Sequence, residues 1–154
     1  MVLFFDDGKT FATGACPYEY IRATEGDTNR IFLAVEVAGY PIEAIVDTGA
    51  PYVILAPRVA RAIGFQPADA LERLTMLIRG MRLDGSITRF NMTLVAKRGE
   101  NLDLQATVFV PDAEELWGDF PSFIGLSGFL ERIRFALDPL TDTFYFGSMA
   151  LTEL

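Results

Sequence analysis

The chain has no histidine and a single cysteine, and it sets only 13 Lys and Arg against 21 Asp and Glu in 154 residues. Each shortage excludes something. Without histidine, neither a Ser-His-Asp nor a Cys-His catalytic group can be assembled within the chain. With Cys16 alone, no intramolecular disulfide or thiolate zinc cluster can form, so nothing demands an oxidising compartment. A formal charge of -8 leaves no basic excess of the kind that nucleic acid or an anionic membrane attracts. The apolar opening, residues 1–5, is too short for a secretory signal or a membrane span; it lacks a basic start and runs straight into Asp6 and Asp7. The expectation is a cytoplasmic protein with neither a nucleic-acid nor a membrane partner.

What is present suits one domain around one core, since 51% of the residues are hydrophobic. Residues 1–28 mix Gly, Thr, Pro and acidic side chains without a sustained period, and are expected to form an irregular arm with one or two short strands. The β-branched and apolar runs 31–37 and 42–46 read as a hairpin joined at Ala38-Gly39-Tyr40-Pro41. Pro57, apolar residues three to four apart and Gly64 predict a short helix over 57–64. Strands are expected at 74–78 and 86–95 around a turn region 79–85, and again at 102–110, 134–137 and 143–146. Residues 112–119 read as a helical turn or loop, with Trp117 and Phe120 as packing anchors. Ser127 is expected to cap a second short helix over 128–133, with Glu131 near its positive end.

One stretch carries chemistry. The apolar run ending in Ile45-Val46 delivers Asp47-Thr48-Gly49-Ala50 into a turn before a second apolar run, 52–56. An ionised carboxylate beside aliphatic strands is costly unless it is hydrogen-bonded, paired or protonated, so Asp47 is not filler. Gly49 lets the backbone turn and brings an amide near the carboxylate, and Thr48 adds a hydroxyl.

The pattern Ile45-Val46-Asp47-Thr48-Gly49-Ala50 resembles the active-site signature of retropepsin-like aspartic proteases. Phe123-Ile124-Gly125, followed by 127–132, is similar to the second signature of that family, two apolar residues and a glycine that open a short helix. The stretch 133–139 resembles the strand and turn that follow in bacterial members. Together the matches run from about residue 31 to 146. The resemblance implies a mostly β, closed-barrel-like retropepsin fold with two short helices. It also implies an arm over 1–28, a protease domain over 29–148 and a tail over 149–154.

For function, the resemblance implies an aspartic endopeptidase with Asp47 catalytic, Thr48, Gly49 and Ala50 forming the active-site loop, and no metal or organic cofactor. A glycine-bearing hairpin with Gly80, Met81 and Gly85 would be the flap over the substrate, and Ile124 and Gly125 would shape the floor. Peptide hydrolysis needs both a base for water and an acid for the leaving nitrogen, which two carboxyls sharing a proton supply. The chain holds one Asp-Thr-Gly. A homodimer that brings two copies of Asp47 together is therefore expected, with a polypeptide bound as an extended strand. Leu126-Ser127 stands where viral enzymes typically carry Arg followed by Asn or Asp, a departure at a position that helps fix the viral dimer. The competing expectation is a non-catalytic dimerisation or peptide-binding module of the same fold.

Overall fold

The computed structural model describes residues 2–23 and 28–149. Among these, the elements in chain order begin with β1 (Leu3–Phe4), β2 (Thr10–Ala12), β3 (Gly14–Pro17), β4 (Glu19–Ile21), β5 (Arg30–Val37), β6 (Tyr40–Val46) and β7 (Val53–Ile54). Helix α1 (Pro57–Ala62) follows, then β8 (Glu72–Ile78), β9 (Met81–Leu94), β10 (Arg98–Gly99) and β11 (Leu102–Pro111). Helix α2 (Glu114–Trp117), β12 (Ser122–Ile124), β13 (Ile133–Asp138) and β14 (Thr143–Ser148) complete the order. The fold is mostly β with two short α-helices, as expected.

Local chemistry accounts for the main elements. In β5 the alternation buries Leu33, Val35 and Val37 on one face. Two hairpins turn on two residues each, Ala38-Gly39 between β5 and β6 and Arg79-Gly80 between β8 and β9, with positive φ at all four positions. That backbone twist matches the twist of paired strands, which is why such short loops close these hairpins. Helix α1 starts on Pro57, whose missing N–H costs nothing in the first turn.

The large sheet runs β4-β5-β6-β12-β7-β11-β9-β8, with a further pairing of β5 to β9. That pairing turns the central strands into a ring, but the expected closed barrel is not what forms. The seam consists of three residue pairs, Val35 to Leu94, Glu36 to Thr93 and Val37 to Met92. Strands β7 and β12 contribute two and three residues. One edge of β5 passes from β4 to β9, and one edge of β9 passes from β8 to β5. Where a strand changes partner, the two partners must diverge, so β4 and β8 splay away from the seam as open edges. A closed barrel needs continuous, consistently staggered pairing all round.

Two smaller sheets stand beside the ring, a β1-β2 hairpin and a four-stranded sheet ordered β10-β3-β14-β13. Residues expected as an arm with one or two short strands thus form four, of which β3 pairs with β14 and β4 with β5. Residues 24–27 of that stretch lie outside the described residues, as does all but Met149 of the expected tail. The second expected helix is a single 3-10 turn, Leu130–Arg132, with no side-chain cap from Ser127. Instead, Glu131 accepts a 2.9 Å hydrogen bond from the Gly128 amide.

The core is filled by Trp117, Phe109, Phe129, Phe144, Phe146 and aliphatic residues of β5, β9, β11 and β12, all fully buried. No helix among the described residues is long and apolar enough to cross a membrane, which says nothing about crossing by strands.

Candidate active site

Asp47 leaves the end of β6 at a point where two chain segments cross. Strand β12 runs parallel to β6, pairing Phe123 with Ile45 and Ile124 with Val46, and also touches β7 through Phe123 and Ile54. The Asp47 amide donates to the Ile124 carbonyl at 2.9 Å, and the Leu126 amide donates to the Ala50 carbonyl at 2.8 Å. The Asp47–Ala50 loop is therefore clamped from both sides by the segment carrying Gly125. Only glycine fits there, because a Cβ on Gly125 would lie 2.0 Å from the Tyr52 carbonyl oxygen and 2.6 Å from that of Ala50. Ser122, buried beneath, accepts from the Ala56 amide at 2.9 Å and ties the end of β7 to β12.

The Asp47 side chain is half-buried, and its Oδ1 accepts the Gly49 amide at 2.9 Å. Ala50 is buried, whereas Thr48 is exposed and its hydroxyl bonds to nothing among the described residues. The carboxylate opens onto a cleft of about 560 Å³. It is lined by Tyr20 on β4, Arg30 and Ile31 on β5, Met76 to Arg79 at the end of β8, and Ile45, Ile54 and Phe123. The cleft thus occupies the gap left where β4 and β8 part from the ring. Asp47 is the one carboxylate lining it among the described residues. A single acid can take or give one proton at a time, and it needs a second acid to do both.

A family model described as "Aspartyl protease" matches residues 33–111, from β5 through the Asp47 loop to the end of β11. The chain belongs to the aspartyl protease family. Its fold is retropepsin-like. It is similar to a retropepsin-like aspartic protease from Rickettsia conorii, with a TM-score of 0.54 and 22% identity over 85% of this chain and 97% of that one. It is also similar to the retroviral protease-like domain of Ddi1 from Leishmania major, with a TM-score of 0.50 and 16% identity over 80% of this chain and 96% of that one. At these identities the likeness concerns the fold. A search of curated proteins finds no match.

Within this aspartyl protease fold, the expected site residues fall into three groups. Asp47, Gly49 and Ala50 line the cleft. Ile124 and Gly125 lie behind the loop and hold it, while Gly80 is the second residue of the hairpin turn whose Arg79 lines the cleft, and Met81 opens the strand that follows. Gly85 is not at a hairpin tip. The turn is Arg79-Gly80 alone, and Gly85 sits inside β9, opposite Leu74 on one side and Pro111 on the other. A Cβ there would come within 2.4 Å of the Phe109 ring and of the Val110 carbonyl, so this glycine serves close packing.

Sequence reasoning missed Arg79 and undervalued Phe120. The Arg79 guanidinium carbon stands 3.5 Å from the centroid of the Phe120 ring, and that of Arg30 stands 5.2 Å away. Phe120 belongs to an aromatic group with Trp117 and Phe123. Its loop is pinned by the Trp117 indole N–H, which donates to the Phe120 carbonyl at 2.7 Å, and by Arg58, which donates to the carbonyls of Gly118 and Phe120 at 3.2 and 3.1 Å. The available signal was an arginine placed where a two-residue hairpin turn favours Asn or Gly.

Proposed function

We propose that the chain is an aspartic endopeptidase that works as a homodimer, with Asp47 of each subunit forming one catalytic pair. The observation that carries this reading is an amide-held carboxylate, the one acid lining the cleft among the described residues, on a loop clamped by β12. One Asp47 acts as general base on a bound water. The other, protonated, gives its proton to the scissile carbonyl oxygen as the water oxygen adds to the carbon; the roles then reverse, the first Asp47 protonating the leaving nitrogen while the second takes back a hydroxyl proton and the C–N bond breaks. The Gly49 amide holds one carboxylate oxygen, which orients the other toward the substrate.

The exposed Thr48 hydroxyl is free to bond to the second subunit beside the pair. The β8–β9 hairpin serves as the flap, with the Arg79-Gly80 turn at its tip and Met81 at its edge. A polypeptide lies extended between flap and floor, with apolar side chains against Met76, Ile78, Ile31 and Phe123. The names of the two similar structures, a retropepsin-like aspartic protease and a retroviral protease-like domain, agree with this reading. The test is hydrolysis of unfolded casein or a mixed peptide library at several acidic pH values by wild-type and Asp47→Asn protein. Cleavage by the first and none by the second is expected. Equal cleavage by both, or none by either, overturns the proposal.

A further inference from the structure

Arg79 stands at the tip of the β8–β9 hairpin. It occupies the first position of a two-residue turn at φ 53°, in the left-handed region that non-glycine residues seldom enter. Arg79 nevertheless lines the cleft, and its guanidinium carbon lies over Phe120, 3.5 Å from the ring centroid. Phe120 is itself immobilised by the Trp117 and Arg58 hydrogen bonds to its loop. The platform is thus built before any ligand arrives. A guanidinium seated over a ring face can keep its N–H donors, which lie in its own plane, open to the two oxygens of a carboxylate. Among the described residues no carboxylate pairs with Arg79. In a chain of net charge -8, Arg79 brings positive charge to a cleft that Arg30 also lines and whose one acid among the described residues is Asp47.

We infer that Arg79, held by Phe120, is a specificity-determining residue that selects extended peptides bearing a carboxylate near the apolar residues seated over Asp47. The inference rests on the peptide-binding part of the proposed function and not on turnover. The chemistry recognised is a carboxylate, which an internal Glu side chain or a peptide C-terminus can supply. An internal Glu fits a substrate that continues through the cleft, and a C-terminus fits one that ends there.

The test measures binding by the Asp47→Asn protein, which separates recognition from hydrolysis. Fluorescent peptides with an apolar pair at the centre carry Glu or Gln at each flanking position in turn, in forms with free or amidated C-termini. At about pH 6 and low salt, one Glu position, or the free C-terminus, should tighten Kd by about tenfold over its neutral counterpart, the scale of one charge-assisted hydrogen bond. That ratio should fall to about one in Arg79→Met and shrink in Phe120→Leu, while Arg79→Lys retains part of it. A preference for Glu that survives amidation identifies the side chain, and one that amidation removes identifies the terminus. No preference, an unchanged preference in Arg79→Met, or no binding of any peptide overturns the inference. Charge-selective binding alongside a wild-type protein that cleaves nothing sustains it while removing the protease reading.

Discussion

Replacing Gly125 with Ala tests whether the geometry around Asp47 depends on the approach of two backbones. The new methyl would sit 2.0 Å from the Tyr52 carbonyl oxygen, 2.6 Å from the Tyr52 carbonyl carbon and 2.6 Å from the Ala50 oxygen. All three atoms are backbone, so no rotamer relieves the clash. The Asp47–Tyr52 segment must move off β12 by roughly 1.4 Å to restore ordinary contact. Overpacking of this kind costs about 1–3 kcal/mol. Losing the Leu126 to Ala50 hydrogen bond adds about 1 kcal/mol. The expected total of about 3 kcal/mol is a large share of the stability of an ordinary domain, and at this chain length it corresponds to a Tm lower by roughly 6–12 °C.

Activity should fall further than stability, because a displacement of about 1 Å at a catalytic group costs on the order of a hundredfold. Thermal unfolding at fixed protein concentration and peptide hydrolysis well below the variant's Tm provide the two readouts. Gly80→Ala is the control: nothing lies within 4 Å of its would-be Cβ, and only its φ of 77° is strained. It should cost about 1 kcal/mol. A Gly125→Ala protein within 2 °C of wild type, with activity within about twofold, would show that the Asp47 loop does not depend on this close approach.

Other outcomes follow from single observations. The Asp112 carboxyl is held below its ordinary value of 3.8, chiefly by its hydrogen bond from Arg73. A depressed folded-state pKa stabilises above the unfolded value and loses that contribution as pH falls through the folded one. Arg73→Leu should therefore flatten the pH dependence of stability below about pH 4, only slightly because the pair is exposed; urea unfolding between pH 2 and 5 measures it, and an unchanged slope contradicts it. Burial pushes the Cys16 thiol up to about 11, so a maleimide should label the folded chain slowly at pH 7.5 and the urea-unfolded chain fast. The amides of Arg79 and Gly80 should exchange faster than those of the adjoining strands in the free protein and slow when a non-cleavable peptide binds. Equal exchange with and without peptide would remove the flap from the account.

The parts of the fold legible in the sequence were those with local causes. Alternation in β5, the apolar run of β6, Pro57 at a helix start and the Asp-Thr-Gly-Ala turn each declare themselves within a few residues. What escaped depends on contacts distant in sequence. Gly80 and Gly85 look alike in a string, yet one sits in a turn at positive φ and the other is pressed against Phe109, about 24 residues away along the chain. The ring's seam follows from β5 and β9 each changing partner along one edge, which periodicity cannot express. The 3-10 turn at Leu130–Arg132 replaced the expected helix because the chain must enter β13 at once. Residues 3–21, with short strands and no clear alternation, gain their order from β14, β10 and β5. At the site, the Asp47 loop and its glycine were readable, whereas the seating of Arg79 on Phe120 joins positions about 40 apart and has no local signature.

In the proposed homodimer each site needs Asp47 from two chains. Wild-type and Asp47→Asn chains, unfolded together and refolded at a constant total concentration, should form mixed dimers in proportion to their fractions. Peptide hydrolysis should then vary as the square of the wild-type fraction, so that an equal mixture retains about a quarter of full activity. A linear dependence, with an equal mixture retaining about half, would mean that each chain carries a complete site and would contradict the claim.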